Sequence, residues 1–220
     1  MNLRALVAEG LGTLLLVVAV IGSAIMAGQL TQDGGVLLLA NSLATGAALL
    51  VLITIFAPLS GAQFNPAVSL VLALRAEIGW TDCAAFIMAQ SVGGVAGTLI
   101  AHAMFDLPLL QISGHIRTGA AQYLAEAIAT FGLILTILGS QYAKGANVAL
   151  MVASYITAAY WFTASTSFAN PVMALARSLT NTPAGIRPTD APAFVVAEVL
   201  GAVLAMVLGS WLFRTPDQAG

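Results

Sequence analysis

Charge is scarce in this chain. Seven Lys and Arg and nine Asp and Glu among 220 residues make 7 % charged against 60 % hydrophobic, too little polar surface to coat a soluble globule. The formal charge of −2 comes without a basic patch, so binding to nucleic-acid phosphates is excluded. Cysteine is almost missing. Cys83 has no partner for a disulfide, and His102 and His115 have none at ligand spacing, so no metal set and no cofactor is expected. With redox and metal chemistry unsupported, nothing points to an enzyme. No polar region or cleavage site follows the apolar run after Met1 and Arg4, which reads as a retained membrane span and not as a signal peptide.

What the chain does have is apolar length, with a mean hydropathy of +0.97. Crossing a hydrocarbon core of ~30 Å takes roughly 20 residues of helix. Six stretches qualify: Leu6 to Ala27, Val36 to Ala57, Cys83 to Phe105, Ala120 to Tyr142, Asn147 to Thr166 and Phe194 to Phe213. An even number of spans puts both termini on one side. With the N-terminus inside, Arg4, Arg75, Lys144 and Arg214 lie inside and Arg117, Arg177 and Arg187 outside, an excess that favours cytoplasmic termini.

Two connections are neither tight turns nor solvated loops. Pro58 to Trp80 and Ala164 to Pro192 each hold an Asn-Pro pair followed by a short apolar run, Asn65-Pro66 through Leu74 and Asn170-Pro171 through Leu179. Asn caps a helix and Pro suits its first turn, so each pair starts a helix. About ten residues make a rod of ~15 Å, half the hydrocarbon thickness, which predicts two re-entrant half-helices. Backbone that is not helical survives at that depth only inside protein or beside a wet cavity.

The chain also repeats. Ala8-Glu9 with Thr13 returns as Ala125-Glu126 with Thr130, and Ala89-Gln90 with Gly93 returns as Ala197-Glu198 with Gly201. Each copy has three spans, so the second, from about 117 to 220, enters the membrane upside down relative to the first, from 1 to about 110. Inverted repeats with broken helices place the working site near the midplane, where the two half-helix N-termini should meet.

The run from Ser60 to Ser69, SGAQFNPAVS, resembles the first signature loop of the aquaporin (major intrinsic protein) family, and SFANPV from Ser167 to Val172 resembles the second. The likeness runs over nearly the whole chain. It implies an all-α membrane protein of aquaporin architecture, a single channel domain over 1–220 with six spans and two half-helices, assembled as a homotetramer. It further implies that Asn65 and Asn170 donate hydrogen bonds to a solute in single file. Pro66 and Pro171 would fix the helix starts, and Ala67 and Val172 complete the two motifs.

Selectivity in this family is set at an outer constriction that usually carries an arginine three residues after the second Asn; here that residue is Met173. Counting from the two Asn residues, the resemblance implies a constriction of Thr45, Ala158, Ser167 and Met173, wide, neutral and without its fixed cation. Methionine supplies a flexible thioether where arginine would supply five donors and a charge. Arg177 lies one turn further on, and a role at the C-terminal end of the half-helix, capping carbonyls, is expected for it. Gln63 stands where His is common and cannot titrate near neutrality.

Carboxylates are costly in lipid. Glu9 and Glu126 are expected to accept the unpaired N–H groups of the two re-entrant loops; Glu198 faces the neutral Gln90 in the repeat, and its role stays open. His102 and His115 read as interfacial. Gly93, Gly94, Gly97 and Gly201 read as packing sites, and Trp80, Trp161 and Trp211 as anchors at the headgroups.

Three functions follow in order. The first is a passive channel for small uncharged solutes such as glycerol, urea, As(OH)3 and Sb(OH)3, since the run around Met173 resembles a bacterial branch associated with arsenical resistance. The second is a pore conducting mainly water. The third is a secondary transporter coupled through its glutamates. The expected setting is the bacterial inner membrane.

Overall fold

The computed structural model describes residues 2–213; Met1 and Arg214, placed above at the inner face, lie outside them. The described residues form eight helices: α1 (Leu3–Leu30), α2 (Gly34–Ser60), α3 (Pro66–Leu74), α4 (Trp80–Met104), α5 (Ala120–Tyr142), α6 (Val148–Phe162), α7 (Pro171–Ser178) and α8 (Ala191–Leu212).

Local chemistry sets the boundaries. Asn2 caps α1 by accepting the Arg4 N–H at 3.0 Å, and Asp33 starts α2 by accepting the N–H groups of Gly35 and Val36. α2 continues through Pro58, one turn beyond the expected span end, and stops where Gly61 turns left-handed at φ 87°. Five helices are long and apolar enough to span a bilayer. The expected fifth span, Asn147 to Thr166, is shorter than predicted. α6 has 15 residues and ends at Phe162, so it covers only ~22 Å. The hydroxyl-rich run after it leaves the helix to form the second re-entrant loop.

Packing follows the repeat. α1 lies against α2 and α4, α5 lies against α6 and α8, and the two units meet mainly through α2 and α6. Glycine permits the closest approaches. A Cβ on Gly93 would collide with the carbonyl oxygen of Gly10, and one on Gly201 with that of Ala127. Gly97 meets the carbonyl oxygen of Leu14 in the same way, and Gly94 meets the side chain of Val172. The outer faces are covered by exposed apolar side chains, with Trp80, Trp161 and Trp211 among them, as a lipid-facing surface requires.

His102 departs from expectation. It is fully buried, one ring nitrogen 2.9 Å from the Leu109 carbonyl and the other 2.8 Å from the Thr180 hydroxyl, so it ties α4 to the loops beyond α4 and α7 and does not sit at an interface. His115 is exposed in its loop.

Candidate functional site

Each half-helix begins as its sequence dictates. Asn65 Oδ1 accepts the Ala67 N–H at 2.9 Å and Asn170 Oδ1 accepts the Val172 N–H at 3.0 Å, with Pro66 and Pro171 in the first helical positions. That leaves the Nδ2 groups free to cross between the halves. Asn65 Nδ2 donates to the Ala169 carbonyl at 2.7 Å, and Asn170 Nδ2 donates to the Phe64 carbonyl at 2.8 Å. The two helix tips are thus clasped by a reciprocal pair of bonds. Each amide keeps a second N–H hydrogen, and both Asn residues line one cavity.

The loops leading to the tips carry backbone strain in register. Ala62 and Phe64 in the first, and Ser167 and Ala169 in the second, all have φ between 49° and 52°. Left-handed conformations in residues with a Cβ cost on the order of 1–2 kcal/mol each, and surrounding bonds must hold them. The holders are Glu9 and Glu126. Glu9 accepts the N–H groups of Gln63 at 2.9 Å and Phe64 at 2.7 Å, and Glu126 accepts those of Phe168 at 2.9 Å and Ala169 at 2.7 Å. Both carboxylates are fully buried and neither lines the cavity.

The cavity has a volume of about 320 Å³ and extends to both sides of the Asn pair. Toward the C-terminal ends of α3 and α5 it reaches Glu77 and Gln141; the other way it reaches Tyr160 and Arg177. Its wall is mostly apolar, from residues such as Leu49, Val68, Leu133 and Ile156, with a few polar groups, as small-solute sites usually are. Gln63 contributes a buried Oε1 without a hydrogen-bond partner.

Three of the four expected constriction residues, Thr45, Ser167 and Met173, lie in this wall. Ala158 does not: it is exposed on the outside of α6. Tyr160 lines the cavity in its place, buried and with its hydroxyl 3.1 Å from Thr45 Oγ1. Counting back from Asn170 crosses the irregular stretch 163–169, where helical periodicity sets no register. Two positions on a helix is ~200° of rotation, which carries Ala158 to the opposite face. The spacing of Val152, Ile156 and Tyr160, all buried along one side of α6, is the sequence signal for the face that lines the cavity.

Arg177 departs as well. Its Nε donates to the carbonyl of Ala184 in the loop beyond α7, not to the carbonyls at the half-helix end as expected, and its guanidinium lies over the Phe168 ring at 3.4 Å from the centroid. It is also part of the cavity wall, and among the described residues its Nη groups make no hydrogen bond. The expectation of a neutral wall is therefore corrected, because a cation borders the cavity one turn beyond Met173. Arg117, in the loop before α5, braces the same region: it donates to the carbonyls of Gly185 at 2.8 Å and Ser165 at 3.1 Å. Burial lowers the Arg117 pKa from its ordinary value, with Glu126 and Tyr160 acting in the opposite sense.

Residues 1–182 match the family described as major intrinsic protein. Aquaglyceroporin AqpS of Rhizobium meliloti (strain 1021) is 59 % identical over 211 residues, 96 % of this chain and 91 % of that protein. Aquaporin A of Dictyostelium discoideum is 31 % identical over 78 % of this chain and 66 % of its own length. Among solved structures, the aquaglyceroporin from Plasmodium falciparum superposes with a TM-score of 0.72 over 96 % of both chains at 21 % identity, a likeness of fold.

Proposed function

The chain belongs to the major intrinsic protein family, and on that premise we propose that it is a passive channel for small uncharged hydroxylated solutes, glycerol-like polyols and the trihydroxides of arsenic and antimony among them, with some permeability to water. One observation carries the reading: the clasped Asn65 and Asn170 sit in a mainly apolar cavity, with Met173 in the wall where an arginine is usual. Each Asn offers its free N–H hydrogen to a solute hydroxyl while the apolar wall lets the rest slide, a transient replacement of hydration with no bond made or broken. The positive ends of α3 and α7, together with Arg177, disfavour cations and oppose a proton wire. We take Thr45, Tyr160, Ser167 and Met173 as the constriction.

A channel conducting mainly water is the second reading, and Arg177 and Tyr160 in the wall favour it, since both restrict the outer part of the cavity. Coupled transport has less support, because Glu9 and Glu126 are occupied by loop amides away from the cavity. The setting we infer is a bacterial inner membrane, with cytoplasmic termini and a homotetramer of independent pores.

Stopped-flow swelling of proteoliposomes separates these readings. Rapid uptake of glycerol and As(OH)3 down their gradients is expected. Water permeability without either solute overturns the proposal in favour of the second reading, and accumulation against a gradient overturns it in favour of the third.

A further inference from the structure

Glu198 is a buried carboxylate to which conduction assigns no part. It lies in α8, fully buried; its Oε1 accepts the Asn170 N–H at 3.1 Å, and its Oε2 is buried with no hydrogen-bond donor among the described residues. Its neighbour is another carboxylate: Glu126 accepts the N–H groups of Phe168 and Ala169 and Glu198 accepts that of the next residue, Asn170, so the two hold consecutive amides of one loop. Two ionised carboxylates side by side at membrane depth repel each other with little screening, and neither can donate to the other.

The first repeat holds the same arrangement with different chemistry. Gln90 precedes Gly93 by three residues as Glu198 precedes Gly201, and each glycine meets the carbonyl of the residue after the loop-holding glutamate, Gly10 after Glu9 and Ala127 after Glu126. Glu198 is therefore the positional equivalent of Gln90. There the side-chain amide donates to Glu9 Oε2 at 2.8 Å. The site calls for a donor toward the loop-holding carboxylate, and a glutamate can be one only in its acid form.

We propose that Glu198 is a neutral carboxylic acid that donates its proton to Glu126, performing for the second re-entrant loop what the Gln90 amide performs for the first. Loss of that proton at high pH removes the bond and sets two negative charges together behind Phe168, Ala169 and Asn170, so the loop loosens and conduction falls. The elements packed on α8 bring few other charges. α3 has no titratable side chain, α7 has Arg177, and α5 has Tyr123 and Tyr142 besides Glu126. Arg177 is the cation among these elements, and its guanidinium is engaged by the Phe168 ring and the Ala184 carbonyl. Glu198 is a positioning residue: it acts through Glu126 on the loop and is absent from the cavity wall.

The experiment uses the full-length chain in proteoliposomes and reads two quantities across an alkaline pH series, the infrared carbonyl band of a protonated carboxylic acid and glycerol flux. Wild type should show the band and lose it as pH rises, with flux falling alongside. E198Q should lack the band, keep flux within about twofold of wild type at neutral pH because an amide also donates, and stay flat where wild type declines. Q90E should gain a second such band and a second alkaline loss. The proposal is overturned if E198Q leaves the band intact, if its pH profile follows wild type, if Q90E adds no band, or if E198Q does not fold, since an amide donor should be tolerated. The inference rests on the channel reading only for the flux arm. A protein with the expected bands but no flux contradicts the channel and leaves the shared proton standing.

Discussion

The loop before α3 and the loop before α7 follow one backbone plan, yet they are held by unequal sets of bonds. Glu9 receives four donors, the N–H groups of Gln63 and Phe64, the Ser60 hydroxyl at 2.6 Å and the Gln90 amide. Glu126 receives two N–H groups, and the place of the amide is taken by an acid. The difference follows what borders each loop. Both residues of the proposed constriction that come from a re-entrant segment, Ser167 and Met173, belong to the second, as does Arg177 beyond them in the cavity wall. The first loop is anchored on one carboxylate, Glu9; the second, which holds Ser167 and leads into Met173, is anchored on Glu126, Glu198 and Arg117. Repeat symmetry therefore governs the scaffold, while the side chains of the proposed constriction break it.

The most severe way to break the comparison is to remove the acceptors. Glu9→Ala leaves four donors without a partner at a cost of about 1–3 kcal/mol each, whereas Glu126→Ala leaves two N–H groups and the proton proposed for Glu198. Thermal unfolding in detergent should show the Glu9 variant as clearly the less stable; equal losses would mean that the two loops are equally held. Gly93→Ala and Gly201→Ala come next. Each forces a Cβ into a backbone carbonyl across a helix pair, for roughly 1–3 kcal/mol. These two should be matched, since the contacts are symmetric, and a marked inequality would refute the symmetry of the scaffold.

Met173→Arg tests the asymmetric part. It adds a second cation and bulk beside Arg177, and about a tenfold drop in glycerol flux is expected, equivalent to ~1.4 kcal/mol, with water flux less affected. Unchanged glycerol flux would remove Met173 from the constriction.

The smallest effect belongs to Asp190, just before α8. Burial alone would raise its pKa, but the hydrogen bond from the Arg187 side chain at 2.7 Å and that from the Arg117 N–H at 2.9 Å hold it below the ordinary value. A carboxylate lowered in the folded state stabilises above its unfolded pKa, and the contribution disappears as pH falls through the folded value. Asp190→Asn should therefore unfold slightly earlier than wild type at neutral pH, with the gap closing in acid; a gap that widens on acidification would contradict the assignment.

Much of the architecture can be read from residue order because the signals are local. Asn followed by Pro starts a helix wherever it stands, and a half-helix at membrane depth demands acceptors, which made Glu9 and Glu126 legible before any contact was known. Residue spacing loses its meaning across backbone that is not helical: the interval back from Asn170 runs through 163–169 and ends on Ala158 although Tyr160 lines the cavity, and α6 stops short of its apolar run because that run continues into the same stretch. His102 looked interfacial from its place near a span end, and only the loops folded over it reveal a buried tie.

The primary structure by itself determined that this chain lives in lipid, that it is built twice with the second copy inverted, and that two capped rods meet midway, because apolar length, repeat parity and helix capping depend on neighbours along the chain. The tertiary structure decided which side chains face the cavity, that Arg177 borders it, and that Glu198 accepts the Asn170 N–H with its second oxygen buried and without a donor among the described residues. Those relations depend on rotation about helix axes and on approach between segments some 30 to 110 residues apart, which no local pattern specifies.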